Sequence, residues 1–373
     1  MLKILHTADI HLGAKFLGLG NKGANQREQV RATFKNVVTT AENERVDIVL
    51  IAGDLFDSNQ QPQRNLELVM EQFSLLQQNN IPVCLIPGTH DPLDTSSIYH
   101  KVEFEKQCTN LKIFKSSDIS CQEYPEIDLT VYGKPNLSNR SHVSPLKGLK
   151  RMTSTKFHVA MAHGSLYIPG KIEDDDHVFR IEEVKASGMD YIALGHWHRP
   201  YACSQKPPAW YCGPPEWIPD HREKGSILLV TISDSGEVKV EPKGIGIRDY
   251  DNPGIEVSEV QGLAELKGKI LEGANQNLIR KATLKGLRDT EILLNPEELE
   301  DELGEKFFHL SVIDESHPKV KEISELSFRE QLIMARFIRL MKAQIEGCEG
   351  DEKDIAERAL QYGVALLAGK EVL

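Results

Sequence analysis

A chain of 373 residues, 40% apolar and 27% charged, holds enough material for a large core and one to three domains. Its formal net charge of −12 excludes a uniformly basic nucleic-acid coat, while leaving room for a local basic patch. No apolar run approaches a membrane span, and the six cysteines show no CxxC spacing, which fits a reduced cytoplasmic chain rather than a disulfide framework.

Met1 leads straight into a strand, Leu2 to Leu5, so no signal peptide is expected. The strand delivers Asp9 and His11, two residues apart beyond its end; alone, this pair reads as a turn cap beside a surface histidine. A Gly-rich segment, 18–23, precedes a helix from about Asn25 to Glu44 with Val30, Phe34, Val37 and Val38 on one face. The second strand, Asp47 to Ile51, is apolar enough for the centre of a parallel sheet and ends in Gly53-Asp54. Carboxylates suit divalent metals, so Asp54 stands as a candidate ligand, whereas Asp57, before Ser58-Asn59, reads as the start of a turn. A helix from about Pro62 to Gln78 follows.

The third strand, Pro82 to Ile86, ends in Gly88-Thr89-His90-Asp91. A histidine oriented and kept protonated by a neighbouring Asp91 suits a general acid. A helix is expected over 96–107, then short strands near 112–114 and 128–133. Lys134, Arg140, Lys147, Lys150, Arg151 and Lys156 then occur with no acidic residue among them. This segment reads either as a phosphate-tracking surface or as a solvated loop whose acidic neighbours come from elsewhere. The strand Phe157 to Met161 delivers His163, and the acidic run Glu173 to Asp176 reads as a solvated loop. After a short helix, 180–187, the strand Tyr191 to Leu194 delivers Gly195-His196-Trp197-His198. Two imidazoles at i and i+2 can aim at one site where the chain leaves a strand.

The remaining strands of this part, near 201–203, 209–211, 226–232 and 237–241, read as antiparallel. The Gly- and Pro-rich stretch 242–254 reads as a domain boundary. A small α+β unit follows, with helices 261–272 and 296–303 and strands 278–284 and 307–312. Last comes a helical hairpin, opened by a capping box at Ser327 to Glu330 and turned at 347–350. The expected domains are therefore 1–243, 254–318 and 322–373.

Five strands each end in a His or Asp donor, and sites in open α/β sheets form beyond the carboxyl ends of strands. Mixed carboxylate and imidazole donors suit Mn²⁺, Fe²⁺ or Zn²⁺, and their number fits two ions sharing Asp54, as in two-metal phosphoryl enzymes.

The series Asp9-x-His11, Gly53-Asp54, Gly88-Thr89-His90-Asp91, His163-Gly164 and Gly195-His196-Trp197-His198 resembles the calcineurin-like metallophosphoesterase pattern. His6 to Gly13, Gly53 to Asp57 and Leu194 to Pro200 resemble its SbcD-type DNA repair exonucleases. The resemblance implies an α/β fold: a four-layer metallophosphoesterase sandwich of two mixed sheets flanked by helices, a small capping domain and a C-terminal helical hairpin. It implies that Asp9, His11, Asp54 and His198 hold one divalent ion, most naturally Mn²⁺. Asp54, residue 89, His163 and His196 would hold a second. His90, paired with Asp91, would assist the leaving oxygen. It further implies a homodimer acting on DNA, with an SbcC-like SMC-type ATPase bound by the C-terminal helices; the charge pattern, not the resemblance, offers Lys134, Arg140, Lys147, Lys150 and Arg151 as the DNA contacts. Thr89 departs from the family pattern, which has Asn there, and a hydroxyl is a poorer ligand than an amide oxygen. A stand-alone phosphatase or phosphodiesterase acting on a small phosphorylated substrate, and a non-catalytic scaffold, are the rival readings.

Overall fold

The computed structural model describes residues 1–219, 221–288, 294–318, 328–348 and 351–367. They divide into two compact units, Met1–Tyr250 and Asp251–Leu373, the terminal helices falling in the second.

In the first unit, the apolar runs become two six-stranded mixed sheets. The first sheet contains β1 (Leu2–Thr7), β2 (Ile48–Ala52), β3 (Val83–Ile86) and β4 (Leu111–Ile113) in parallel. The second contains β5 (Ser120–Tyr124), β6 (Leu129–Gly133), β7 (Phe157–His163), β8 (Tyr191–Gly195), β9 (Tyr201–Gln205) and β10 (Pro208–Tyr211). The strands β11 (Ser226–Ile232) and β12 (Val238–Gly244) return to extend the first sheet antiparallel beside β1. Alternation of side chains along each strand makes the sandwich: Leu2, Ile4, Ile48, Leu50, Cys84 and Ile86 share one buried cluster with Leu129, Val131, Phe157, Val159, Met161 and Tyr191. The opposite face of the second sheet buries Tyr132, Ala160, Ile192 and Tyr211 against Leu146, Phe179 and Val184.

Helix α1 (Gly23–Glu44) buries the face read from its spacing, and its Phe34 meets Phe73 of α2 (Gln63–Gln78) edge to face at 6.3 Å.

Three local expectations change. Residues 96–107 form two short helices, Ile98–Lys101 and Phe104–Gln107, broken at an extended Val102. Tyr99 and Phe104 are both buried, and a spacing of five cannot place both on one helical face. Strand β5 was not anticipated, because its residues are only half-buried and carry no clean alternation. Strand β10 pairs parallel with β8 and antiparallel with β9, so the second sheet does not turn wholly antiparallel after residue 200.

The second unit has its own core. Parallel strands Gly254–Glu256, Leu278–Lys285 and His309–Asp314 pack with helices Leu263–Leu271 and Pro296–Leu303 around Leu266, Ile270, Leu284, Leu299 and Phe307. Helices Phe328–Ile345 and Asp351–Leu367 follow, Gly363 allowing the close approach of Phe337. The capping box at Ser327 lies outside the described residues. Among these residues no helix is long and apolar enough to cross a membrane.

Candidate metal centre

Strands β1, β2 and β3 of one sheet and β7 and β8 of the other release the donor residues at their carboxyl ends, and these ends meet. Asp54 Oδ2 lies 3.2 Å from His163 Nε2 and 3.7 Å from His11 Nε2. His163 Nδ1 is 3.9 Å from Asp9 Oδ1 and 2.9 Å from the Ala52 carbonyl. Thr89 Oγ1 donates to Asp54 Oδ2 at 3.3 Å and sits 3.4 Å from His163 Nε2. The main chain joins in: His90 N–H donates to Asp54 Oδ1 at 2.8 Å, and His196 N–H to Asp9 Oδ1 at 2.9 Å. The rings of His11 and His198 stand 5.3 Å apart, those of His163 and His196 5.1 Å.

Such convergence needs unusual backbone. Asp9, His11 and Asp54 adopt left-handed conformations at φ of 54°, 50° and 51°, and His196 lies at 102°. Non-glycine residues there cost about 1–3 kcal/mol each and gather at functional sites. Gly53 and Gly88 complete the cradle, since a Cβ at either would overlap His163 or Asp54.

The electrostatics are those of a buried, crowded site. Burial raises the Asp9 carboxyl to about 6. Burial also opposes ionisation of Asp54, but the nearby His163 and His11 hold it well below the usual range. His163 is opposed by burial and raised to about 9 by Asp54. Burial lowers His198 to about 3.

Among the described residues, three clusters have ligand atoms mutually within 4.8 Å: Asp9, His11 and His198; Asp9, Asp54 and His163; and His11, Asp57 and His90. His11 Nε2 is buried with no hydrogen-bond partner. Carboxylate and imidazole donors converging with an unpartnered nitrogen fit a divalent transition ion.

Two sequence assignments need correction. Asp91 does not pair with His90: its carboxylate accepts from Gly88 N–H at 2.7 Å, Phe56 N–H at 3.1 Å and Tyr99 Oη at 2.5 Å, pinning the loop from beneath. The carboxylate beside His90 is Asp57, with Oδ1 3.8 Å from His90 Nδ1 and 3.3 Å from His11 Nδ1. The i, i+3 spacing of Asp54 and Asp57 was the available signal. The acidic run is not simply solvated either, since Asp176 Oδ1 lies 3.0 Å from His196 Nε2; no spacing announces this.

In the basic segment, Arg140 pairs with Glu173 and Asp175, and Arg151 with Asp190. For these two, the acidic neighbours do come from elsewhere. Lys147 and Lys150 are exposed and Lys134 half-buried.

Residues 2–200 match the family model for calcineurin-like phosphoesterases. Among curated relatives, an uncharacterised metallophosphoesterase, YhaO of Bacillus subtilis, is 30% identical over 56% of this chain and 51% of its own length. The DNA double-strand break repair protein Mre11 of Aeropyrum pernix is 30% identical over 62% of this chain and 58% of its own. The chain thus spans between half and three-fifths of these two relatives. The D component of nuclease SbcCD from Bacillus subtilis is 23% identical over 94% of this chain and 95% of its own. These relatives agree with the SbcD-type resemblance of the sequence motifs.

Proposed function

Because the chain belongs to the calcineurin-like phosphoesterase family, we propose that it is a metal-dependent phosphodiesterase that cleaves DNA with two divalent ions, Mn²⁺ foremost. We further propose that it works as a cytoplasmic homodimer with an SbcC-like SMC-type ATPase. The observation that carries the reading is the meeting of donors from both sheets around Asp54, which neighbours His11 on one side and His163 on the other. Asp9, His11, Asp54 and His198 would hold one ion, and Asp54, Thr89, His163 and His196 the other. When bound, the ions would supply a nucleophile at neutral pH and offset charge on the phosphoryl oxygens. His90 is half exposed at the rim of the site, 48% by side chain, where it can reach a substrate. Asp57 faces the same ring nitrogen and suits it to donate a proton to the leaving oxygen.

The relatives named for DNA repair and for an SbcCD nuclease support DNA as substrate and an ATPase as partner. On this reading residues 254–318 contact DNA, and 322–373 dock the ATPase. Leu332, Ile333, Leu340 and Ile355 are exposed apolar residues on the terminal helices, as a helical docking surface requires. The pairing of Arg140 and Arg151 favours, as a second reading, a small phosphodiester substrate needing no basic track. Cleavage of labelled single- and double-stranded DNA in Mn²⁺, beside His90→Gln, separates the two. DNA cleavage lost in the variant supports the nuclease; hydrolysis of bis(p-nitrophenyl) phosphate alone, even with the ATPase added, favours the second reading.

A further inference from the structure

We infer that Asp176 is a positioning residue for the second metal: its carboxylate holds His196 by Nε2 and so leaves Nδ1 as the ligating nitrogen. The inference rests on the two-metal reading in taking His196 as a ligand. Among the described residues, His196 stands outside the three close ligand clusters, so its service as a ligand depends on how its ring is held. Asp176 Oδ1, 3.0 Å from Nε2, is in place to do so. An ionised carboxylate only accepts hydrogen bonds, and a neutral imidazole carries one proton. A neutral His196 facing this carboxylate would carry its proton on Nε2 and its lone pair on Nδ1. Metal-binding histidines commonly give their other ring N–H to a carboxylate, which orients the ring and raises the basicity of the ligand nitrogen.

Asp176 is itself held. Ser165 Oγ donates to Asp176 Oδ2 at 2.5 Å and accepts from Trp197 Nε1 at 3.0 Å, tying the carboxylate to the residue between His196 and His198. Ser165 lies two residues past His163, and its N–H donates to the Asp176 carbonyl at 3.4 Å. Gly164 lets the His177 main chain approach, where any Cβ would collide. Arg140 engages Glu173 and Asp175, leaving Asp176 to serve the histidine. Since Thr89 is a weak donor to the same ion, a well-oriented, more basic His196 would offset part of that deficit.

The test is calorimetric titration of the full chain with Mn²⁺ in wild type, Asp176→Ala, Asp176→Asn and Ser165→Ala. Nitrogen NMR of the metal-free proteins at alkaline pH accompanies it, with His196→Gln to assign the resonance. Wild type should bind two ions and show His196 protonated on Nε2. Asp176→Ala should weaken the weaker site about 10–100-fold, spare the tighter one and mix the tautomers. Asp176→Asn and Ser165→Ala should lose less, the former because its amide oxygen still accepts from Nε2–H. Unchanged weaker-site affinity in Asp176→Ala, or a wild-type His196 protonated on Nδ1, overturns the inference. So does equal loss in the Ala and Asn variants, which marks a direct ligand. A wild type that binds one ion rejects the two-metal reading instead, and the tautomer alone then decides the role of Asp176.

Discussion

The carboxylate of Asp57 faces two imidazoles, and Asp57→Asn separates its role from that of Asp91. Oδ1 is 3.3 Å from His11 Nδ1 and 3.8 Å from His90 Nδ1, and the two rings are edge to face at 4.6 Å. A unit charge at such distances is worth about 4 kcal/mol at an effective dielectric of ~20. Asp57 is 30% exposed, so solvent screening leaves about 1–3 kcal/mol, a ten- to hundredfold effect, as for other outer partners of metal-bound histidines. Through His11 the variant should bind Mn²⁺ about tenfold more weakly. Through His90 it should lose about a hundredfold in kcat at saturating metal. Calorimetry and hydrolysis of bis(p-nitrophenyl) phosphate read the two effects. Asp91→Asn, which replaces one of the two oxygens that accept from Gly88, Phe56 and Tyr99 with a donor, should lower the melting temperature first. An Asp57→Asn enzyme within twofold of wild type in kcat refutes the argument. An Asp91→Asn enzyme that matches its loss without losing stability refutes it equally.

Three further outcomes follow from the geometry. Gly53→Ala places a methyl at φ +93° against the His163 ring; strain and overpacking should cost about 2–4 kcal/mol, read as a lower urea midpoint. His6 is held by burial at about 3 against 6.5 when exposed. The unfolded chain therefore binds the proton first, and stability, full above pH 6.5, is lost as pH falls toward 3 at about 1.4 kcal/mol per pH unit. His6→Phe should flatten the pH dependence of the urea midpoint over that window, and an unchanged slope counts against the linkage. Thr89→Asn, by restoring an amide oxygen beside Asp54 and His163, should lower the Mn²⁺ needed for half-maximal activity. An identical metal curve removes the basis for treating Thr89 as the weaker ligand.

The strand ends were legible because two signals coincide there: an apolar run stops, and Gly, Asp or His follows at once. Partners of those residues were much less legible. Asp91 is next to His90 in sequence, yet its carboxylate accepts from Gly88, Phe56 and Tyr99, a set of partners that adjacency in sequence does not reveal. Asp57 reaches His90 only because the loops after β2 and β3 run side by side. Asp176 meets His196 across 20 residues of chain, and an acidic run on a loop carries no period from which such a contact can be read. The charge pattern of 134–156 hides the same problem: Arg140 and Arg151 look free in sequence and are paired in the fold.

The placement of Asp54 explains why this site demands the whole sandwich. Asp54 follows β2 in one sheet, while His163 ends β7 in the other, and their contact is 3.2 Å. Neither sheet alone can present both ligand sets, so the centre forms only after the sheets dock. Left-handed backbone at Asp9, His11 and Asp54 and two buried carboxylates work against the fold until that point. The large shared core of Leu50, Ile86, Val159 and Tyr191 supplies the cohesion that holds them. A divalent ion held there would favour the same arrangement by matching the buried negative charge and the unpartnered His11 nitrogen. Metal affinity is therefore a readout of how well the two sheets are packed, and core substitutions far from any ligand should weaken it along with stability.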